Sequence, residues 1–209
     1  FGALIHSQTA QMALDIGSGT GLLSLMVAQK HPSLLIDAVE IDSGASADAR
    51  LNFHQSPYRD RLTLHESSIQ NFNPATTGGY DLIFSNPPFY KNQLKSPDDA
   101  RNLAHHSSGL SFQELAAAVV RLLNPSGKFW ALLPPFEMAD FIKEAALHSL
   151  FVTERFYIRH HTGKPAFREV IAFSFSPDIY VAEQEIIIYE NDKYSSIFAT
   201  LLRDYYLIF

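Results

Sequence analysis

Met12-Ala13-Leu14-Asp15-Ile16-Gly17-Ser18-Gly19-Thr20-Gly21 decides how this chain is read. Its first half is an apolar run of strand length, its second half alternates glycine with small polar residues, and Leu22, Leu23, Leu25, Met26 and Ala28 follow at helical spacing. The order is strand, tight turn, helix. Glycine at Gly17, Gly19 and Gly21 lets the backbone turn sharply and approach a ligand where any Cβ would collide. The helix that follows points its free N–H groups and positive end at that ligand's polar atoms. A dinucleotide fingerprint G-x-G-x-x-G would need glycine at position 22, which is Leu22 here. The spacing therefore favours a nucleoside-type ligand without a pyrophosphate.

Working outward, Leu34 to Ile41 reads as a second strand. It carries Glu40 about 20 residues past the turn, where an acidic group accepts hydrogen bonds from both ribose hydroxyls. Asp42 competes for that role, and Asp15 is placed to anchor the loop or to face an ammonium group. Ser43 to His54 is alanine-rich and helical, with Ser43 as its expected cap. Arg61 to His65 is a short third strand, and Tyr80 to Ser85 a fourth that Pro87-Pro88 stops abruptly. Phe89 to Gly109 is polar and aperiodic, the signature of a lid or binding loop.

Beyond it the pattern predicts a helix over Phe112 to Leu123, a strand over Lys128 to Leu133 and a helix over Glu137 to His148. Strands at Phe151 to Ile158 and Glu169 to Phe175 flank the basic turn Arg159 to Arg168, and Glu185 to Tyr189 with Tyr194 to Tyr206 supplies an edge strand and a closing helix. Alternating strands and helices predict an α/β fold, a mostly parallel sheet covered on both faces with an antiparallel edge strand. In such sheets ligands sit at the carboxyl ends of the strands, where both the glycine turn and Asn86-Pro87-Pro88-Phe89 fall.

Composition sets the outer bounds. With 209 residues, 46% of them hydrophobic, the chain has material for one large core, and residues 1–209 are expected to form a single domain. The absence of cysteine excludes disulfides, thiolate metal sites and any chemistry that adds a thiolate to a pyrimidine ring. No apolar run reaches membrane-spanning length and the opening residues lack the charged, apolar, small-residue pattern of a signal peptide, so a cytoplasmic protein is expected. A net charge of −6 argues against a surface that embraces nucleic acid on all sides, although local basic clusters remain. Because the chain opens on Phe1, an N-terminal segment is expected to precede it.

Asn86-Pro87-Pro88-Phe89 is the second half of the chemistry. The exocyclic amine of adenine is a poor nucleophile because its lone pair is delocalised into the ring, so a site must favour the pyramidal nitrogen of the transition state. Two fixed acceptors that grip both N–H hydrogens do this and aim the lone pair at a methyl donor. Asn86 offers a side-chain oxygen and Pro87 a backbone carbonyl, while the prolines hold both rigid. Phe89 is placed to stack on the base, which must leave its own stack to enter.

Asp15-Ile16-Gly17-Ser18-Gly19-Thr20-Gly21 together with Asn86-Pro87-Pro88-Phe89 resembles the class I S-adenosylmethionine-dependent amino methyltransferases. More narrowly, the chain resembles the bacterial tRNA1(Val) adenine-N6 methyltransferases over nearly its whole length. Asn52 to Tyr58, Ile69 to Phe72, Ser85 to Tyr90 and the tail Tyr194 to Phe209 carry that likeness. The resemblance implies a Rossmann-like seven-stranded sheet, S-adenosyl-L-methionine as cofactor and an adenine of tRNA as substrate. It also implies that Asp15, Gly17, Gly19, Gly21, Glu40, Ser68 and Ile69 hold the cofactor, and that Asn86, Pro87 and Phe89 act on the base. Pro88, Tyr90 and Lys91 lie beside the substrate. Ser68 departs from the family, which has an aspartate there to bind the cofactor's adenine; Gln70 or a backbone carbonyl is the substitute.

Arg155, Arg159, Lys164 and Arg168 with His160-His161 form the densest basic stretch, and Arg159, Lys164 and Arg168 are the expected phosphate contacts. Lys91, Lys95 and Arg101 form a second basic group. The adjacent pairs His105-His106 and His160-His161 lack metal-ligand spacing, so no metal is expected. A monomer is the favoured oligomeric state. Three rival readings remain: methylation of guanine-N2 in ribosomal RNA, methylation of a protein glutamine, and a nucleoside-binding module without catalysis.

Overall fold

A computed structural model of the chain describes residues 1–74, 78–87, 109–177 and 180–208. The first half is built from β1 (Met12–Ile16), α1 (Leu22–Lys30), β2 (Leu35–Glu40), α2 (Ser43–Gln55), a 3-10 turn (Arg59–Arg61), β3 (Leu62–Glu66) and β4 (Tyr80–Ser85). Then come α3 (Phe112–Leu122), β5 (Leu123–Leu133), α4 (Pro135–Leu147), β6 (Phe151–His161), β7 (Arg168–Ser174), β8 (Ala182–Glu190), β9 (Lys193–Tyr194) and α5 (Ser196–Leu202).

These strands form one sheet in the order β3-β2-β1-β4-β5-β7-β6-β8-β9. The chain runs outward from β1 through β2 to β3, then returns to the other side of β1 for β4 and β5, so the sheet's topological switch lies between β1 and β4. The two faces divide by the two-residue period of the strands. On one face Leu14, Ile16, Ile83, Phe129 and Ala131 pack under Leu115, Val119 and Leu122 of α3 and Met138, Phe141 and Ala145 of α4. On the other, Ala13, Ile36, Ala38, Leu82, Phe84 and Trp130 pack against Val27 and Ala28 of α1, Phe53 of α2, and Leu4 and Ile5 of the N-terminal segment.

The sheet has nine strands rather than the seven expected. The expected antiparallel edge is β9, beside β8, and a second antiparallel member, β7, is internal, between β5 and β6. β7 is antiparallel to both β5 and β6, and β6 is parallel to β8, so the C-terminal ends of β4, β5, β6 and β8 share one rim. The further strand, β9, exists because Asn191 and Asp192 both adopt positive φ and turn β8 back on itself. That hairpin takes Tyr194 out of the predicted closing helix, which starts at Ser196 under the Ser195 cap. β5 begins five residues early, because Leu123 pairs with Tyr80 before an irregular stretch that ends at the Leu82–Lys128 pair. Among the described residues no helix is long and apolar enough to cross a membrane.

Candidate functional site

The glycine turn occupies the carboxyl end of β1. Gly17, Gly19 and Gly21 all have positive φ, at 70°, 56° and 82°. A Cβ on Gly21 would collide with the Phe53 ring, so that position needs glycine for its backbone and for its space. Around Gly17 and Gly19 no described atom comes within 4 Å of a built Cβ; these two face open space. The loop is tied down on its other side: the N–H groups of Gly17 and Ser18 donate to the Val39 carbonyl at 2.9 and 3.2 Å, and Asn52 Nδ2 donates to the Thr20 carbonyl at 2.9 Å.

Glu40 ends β2 directly beside this turn and is only 8% exposed. Its Oε2 accepts the Gly19 N–H, and its Oε1 accepts those of Ile41 and Asp42, each at 2.8 Å. A carboxylate has about four acceptor positions, so the backbone fills most of them and an incoming hydroxyl pair would have to share with Gly19. Asp42 is diverted: its Oδ1 accepts the Ala45 N–H at 2.8 Å. Asp42, not Ser43, is therefore the N-cap of α2.

Asp15 is fully buried. Its Oδ2 accepts the Ser24 hydroxyl at 2.7 Å, while Oδ1 has no partner among the described residues. Burial pushes this carboxyl up to about 7; the Ser24 hydrogen bonds oppose the rise and the nearby Glu40 charge adds to it. Ser18 Oγ is a second buried oxygen without a partner among the described residues. Two orphaned oxygens beside two glycines that face open space fit a ligand that brings hydrogen-bond donors. A nucleoside bearing an ammonium group is such a ligand.

Ser68 and Ile69 lie just past β3, level with Glu40, whose carbonyl accepts the Ser67 N–H at 2.9 Å. Ile69 is buried. Ser68 Oγ accepts the Asn71 N–H at 3.3 Å, and the Gln70 amide donates to Glu114 Oε1 of α3 at 3.0 Å. Gln70 is thus turned toward the helix. Sequence reasoning missed the group that fixes this turn: Arg121 of α3 donates to the carbonyls of Ile69 and Phe72 at 2.8 and 3.0 Å. Only the fold brings Arg121 there.

The acceptor motif starts one strand away. Ser85, the last residue of β4, pairs with Ile16 on one side and Ala131 on the other, and its buried Oγ donates to the Ile16 carbonyl at 2.8 Å. That bond locks the end of β4 to the start of the glycine turn, about 4.8 Å apart as neighbouring strands are. Asn86 follows exposed and Pro87 buried. Pro88, Phe89, Tyr90 and Lys91, with the lid expected over Phe89 to Gly109, fall largely on residues 88–108, outside the described residues.

The basic stretch is less free than its composition suggests. Arg155 is paired with Glu169 at 2.7 Å, and Arg159 with Glu185 at 2.9 Å while also donating to the Lys164 carbonyl at 2.6 Å. Both arginines flank the Tyr157 ring, at 4.8 and 5.9 Å. Arg168 donates to the Phe167 carbonyl at 2.8 Å and Lys164 is exposed. The hairpin joining β6 to β7 lies on the same rim as the site, since β7 is antiparallel to both β5 and β6, so that β6 runs in the direction of β5. His160 stacks on Phe167 with ring centres 4.0 Å apart, while His161 packs against Tyr189 at 5.7 Å. Among the described residues no group of three or more histidine or acidic side chains is placed to hold a metal ion.

Comparison with known proteins follows the same lines. The family model described as "Methyltransferase small domain" matches residues 3–153. A tRNA1(Val) (adenine(37)-N6)-methyltransferase of Dyadobacter fermentans is 42% identical over 100% of this chain and 88% of its own, and one of Pedobacter heparinus is 33% identical with the same coverage. Among solved structures, a predicted O-methyltransferase of Agrobacterium tumefaciens superposes with a TM-score of 0.72 at 15% identity, covering 97% of this chain and 93% of that one. A glycopeptide N-methyltransferase solved with S-adenosyl-L-methionine superposes at 0.59 with 14% identity, over 81% of this chain and 89% of its own.

Proposed function

Because the chain belongs to the methyltransferase small domain family, and within it to the tRNA1(Val) (adenine(37)-N6)-methyltransferases, we propose that it methylates N6 of adenine 37 in tRNA1(Val), using S-adenosyl-L-methionine. The observation that carries this reading is the Ser85–Ile16 lock, which sets the acceptor motif one strand from the cofactor turn at the sheet's topological switch.

Gly17, Gly19, Gly21, Asp15, Glu40, Ser68 and Ile69 would hold the cofactor, with Asp15 Oδ1 and Ser18 Oγ taking the donors they lack. When bound, the cofactor supplies a methyl group on a sulfonium. Asn86 through its side-chain oxygen and Pro87 through its carbonyl would accept the two amine hydrogens, so that the nitrogen lone pair points at that methyl. As nitrogen takes the methyl, the carbon–sulfur bond electrons leave with sulfur and the cationic nitrogen releases a proton to water. No strong base is required. Phe89 would stack on the base with Pro88, Tyr90 and Lys91 beside it, and Arg159, Lys164 and Arg168 on the same rim would meet phosphates. One continuous sheet carrying both halves supports treating residues 1–209 as one domain, and a bacterial tRNA substrate fits a cytoplasmic enzyme.

The test is transfer of labelled methyl from cofactor to purified tRNA1(Val), with nucleoside mass spectrometry of the product. N6-methyladenosine is the expected product; methyl on guanine or on protein glutamine, or none at all, overturns the reading. Asn86→Ala is expected to abolish turnover while cofactor affinity stays within about threefold, a loss of transition-state contacts alone. Equal loss of both would make Asn86 a structural residue.

A further inference from the structure

His160 is exposed near the end of β6, yet its ring lies flat on Phe167 across the hairpin, with centres 4.0 Å apart and planes 10° from parallel. Phe167 covers one face of the imidazole, so the exposure falls on the other face and the ring edge. The Arg168 guanidinium lies over the same Phe167 ring at 5.7 Å. The frame around this cluster is stiff. The Phe167 N–H donates to the Ile158 carbonyl at 3.0 Å, the Lys164 N–H to the His161 carbonyl at 3.2 Å and Arg159 to the Lys164 carbonyl at 2.6 Å, around Gly163 at φ 74°. A ring held in this way meets a partner at little further entropic cost.

Strand register places the cluster relative to the amine-holding motif. Ser85 is level with Ala131, Ala131 with Ile171, and Ile171 with Arg155. Asn86 continues β4 one step past Ser85, and His160 lies further along β6 than Arg155 in the same direction. At about 3.3 Å per residue His160 rises roughly 13 Å above Asn86, and three strand spacings set it about 14 Å to the side, so about 20 Å separates them. The two-residue period puts both positions on one side of the sheet, the side of Phe84 and Phe156. Arg168 shares that side, because it pairs with Ile158. The exposed Lys164 occupies the turn between them.

We propose that His160 is a stacking platform for a base of the bound tRNA that lies several nucleotides from adenine 37. The occupant rests on the methyltransferase reading above. Loop bases of RNA stack on aromatic side chains, histidine included, and the Lys164 and Arg168 cations beside the ring suit a strand that carries phosphates. A span of about 20 Å is roughly six stacked steps at about 3.4 Å each, fewer where the strand is extended. It is too long for the immediate neighbours of the target and within reach of nucleotides further along. His160 positions the RNA; it takes no part in methyl transfer.

KM and kcat on tRNA1(Val), cofactor affinity and thermal melting are measured for wild type, His160→Ala, His160→Gln and His160→Phe. Alanine is expected to raise KM for tRNA roughly 5- to 150-fold, the range of one base–aromatic stack, with cofactor affinity unchanged. Glutamine keeps hydrogen-bonding groups without the ring and is expected to match alanine, whereas phenylalanine is expected to stay near wild type. The same enzymes are assayed on tRNA1(Val) made abasic at each nucleotide within about six of adenine 37. At one position beyond the immediate neighbours the wild-type KM is expected to rise by a similar factor. His160→Ala is expected to add no further loss there, because the two changes delete one contact. An unchanged KM in His160→Ala, wild-type behaviour of His160→Gln, or a full alanine penalty on every abasic tRNA overturns the proposal. Should the alanine and glutamine variants melt early, the wild-type abasic series decides: the proposal falls if no position beyond the immediate neighbours raises KM. A wild-type enzyme inert on intact tRNA1(Val) overturns the underlying reading instead.

Discussion

At Asp15 folding takes a carboxyl out of water at a cost. It is fully buried with one oxygen unpaired among the described residues, and burial holds it near 7 instead of 3.8. A carboxyl whose folded pKa lies above its unfolded value binds a proton more tightly when folded. Its contribution is therefore favourable in acid and is lost as pH rises from about 4 to about 7. Asp15→Asn removes that dependence. Thermal melts of the unliganded protein between pH 4 and 8 are expected to show the variant gaining on wild type across this window, by on the order of 4 kcal/mol at its upper end. A constant offset would contradict the assignment. A donor-bearing ligand at Oδ1 would relieve that cost.

Among the elements, α3 does more than cover the sheet. Its capping box of Ser111 and Glu114 starts the helix, while Glu114 also takes the Gln70 amide and Arg121 holds the carbonyls of Ile69 and Phe72. One helix thus fixes the turn after β3 from both of its ends. Arg121→Met keeps the aliphatic stem and removes the donors. It is expected to cost about 1–3 kcal/mol in denaturant unfolding and to weaken cofactor binding several-fold, with kcat at saturating cofactor nearly unchanged. Wild-type cofactor affinity in this variant would show that the turn after β3 does not contribute to the cofactor site. The two strand-end turns are independent of this helix, because Ser85 and Glu40 tie them to the sheet itself.

For the whole molecule, the N-terminal segment closes the face opposite α3. Leu4 and Ile5 are buried against the sheet, and His6 packs edge-on against Trp130 while its Nε2 meets Glu154 at 3.2 Å. Lys128 bonds the other oxygen of Glu154 at 2.7 Å. The hydrogen bond to Glu154 raises the His6 pKa, with burial opposing, and holds Glu154 down near 2. The two signs differ. The histidine's contribution is complete below its unfolded value of 6.5 and disappears as pH rises through its raised folded value; that of Glu154 is present above 4.5 and is lost as pH falls toward 2. His6→Ala is therefore expected to lower Tm most near pH 5 to 6, with a deficit that shrinks as pH rises through the histidine's raised folded value. A pH-independent loss would make His6 a packing residue only.

Much of this was legible in the order of residues. The glycine turn, the strand that runs into Asn86-Pro87 and the alternation of strands and helices are local patterns, set by backbone sterics and by the spacing of apolar side chains, and they stand where the periodicity puts them. The central part of the sheet follows from them. Asp15, Glu40 and the glycines fall at one strand end because a parallel sheet aligns its carboxyl ends. What required the tertiary structure is whatever depends on partners distant in sequence. Arg155 and Arg159 read as free positive charge until β7 and β8 bring Glu169 and Glu185 against them. Gln70 reads as available for a ligand until α3 takes its amide. The internal place of β7 is settled by strand pairing, which a strand's own sequence does not encode. Asp15 reads as a loop anchor or counter-ion; its pKa is raised because folding strips water from the carboxyl, and the Glu40 charge beside it adds to the rise. Sequence determines the local turns and the chemical groups they offer, whereas burial and long-range pairing decide which of those groups remain available to a ligand.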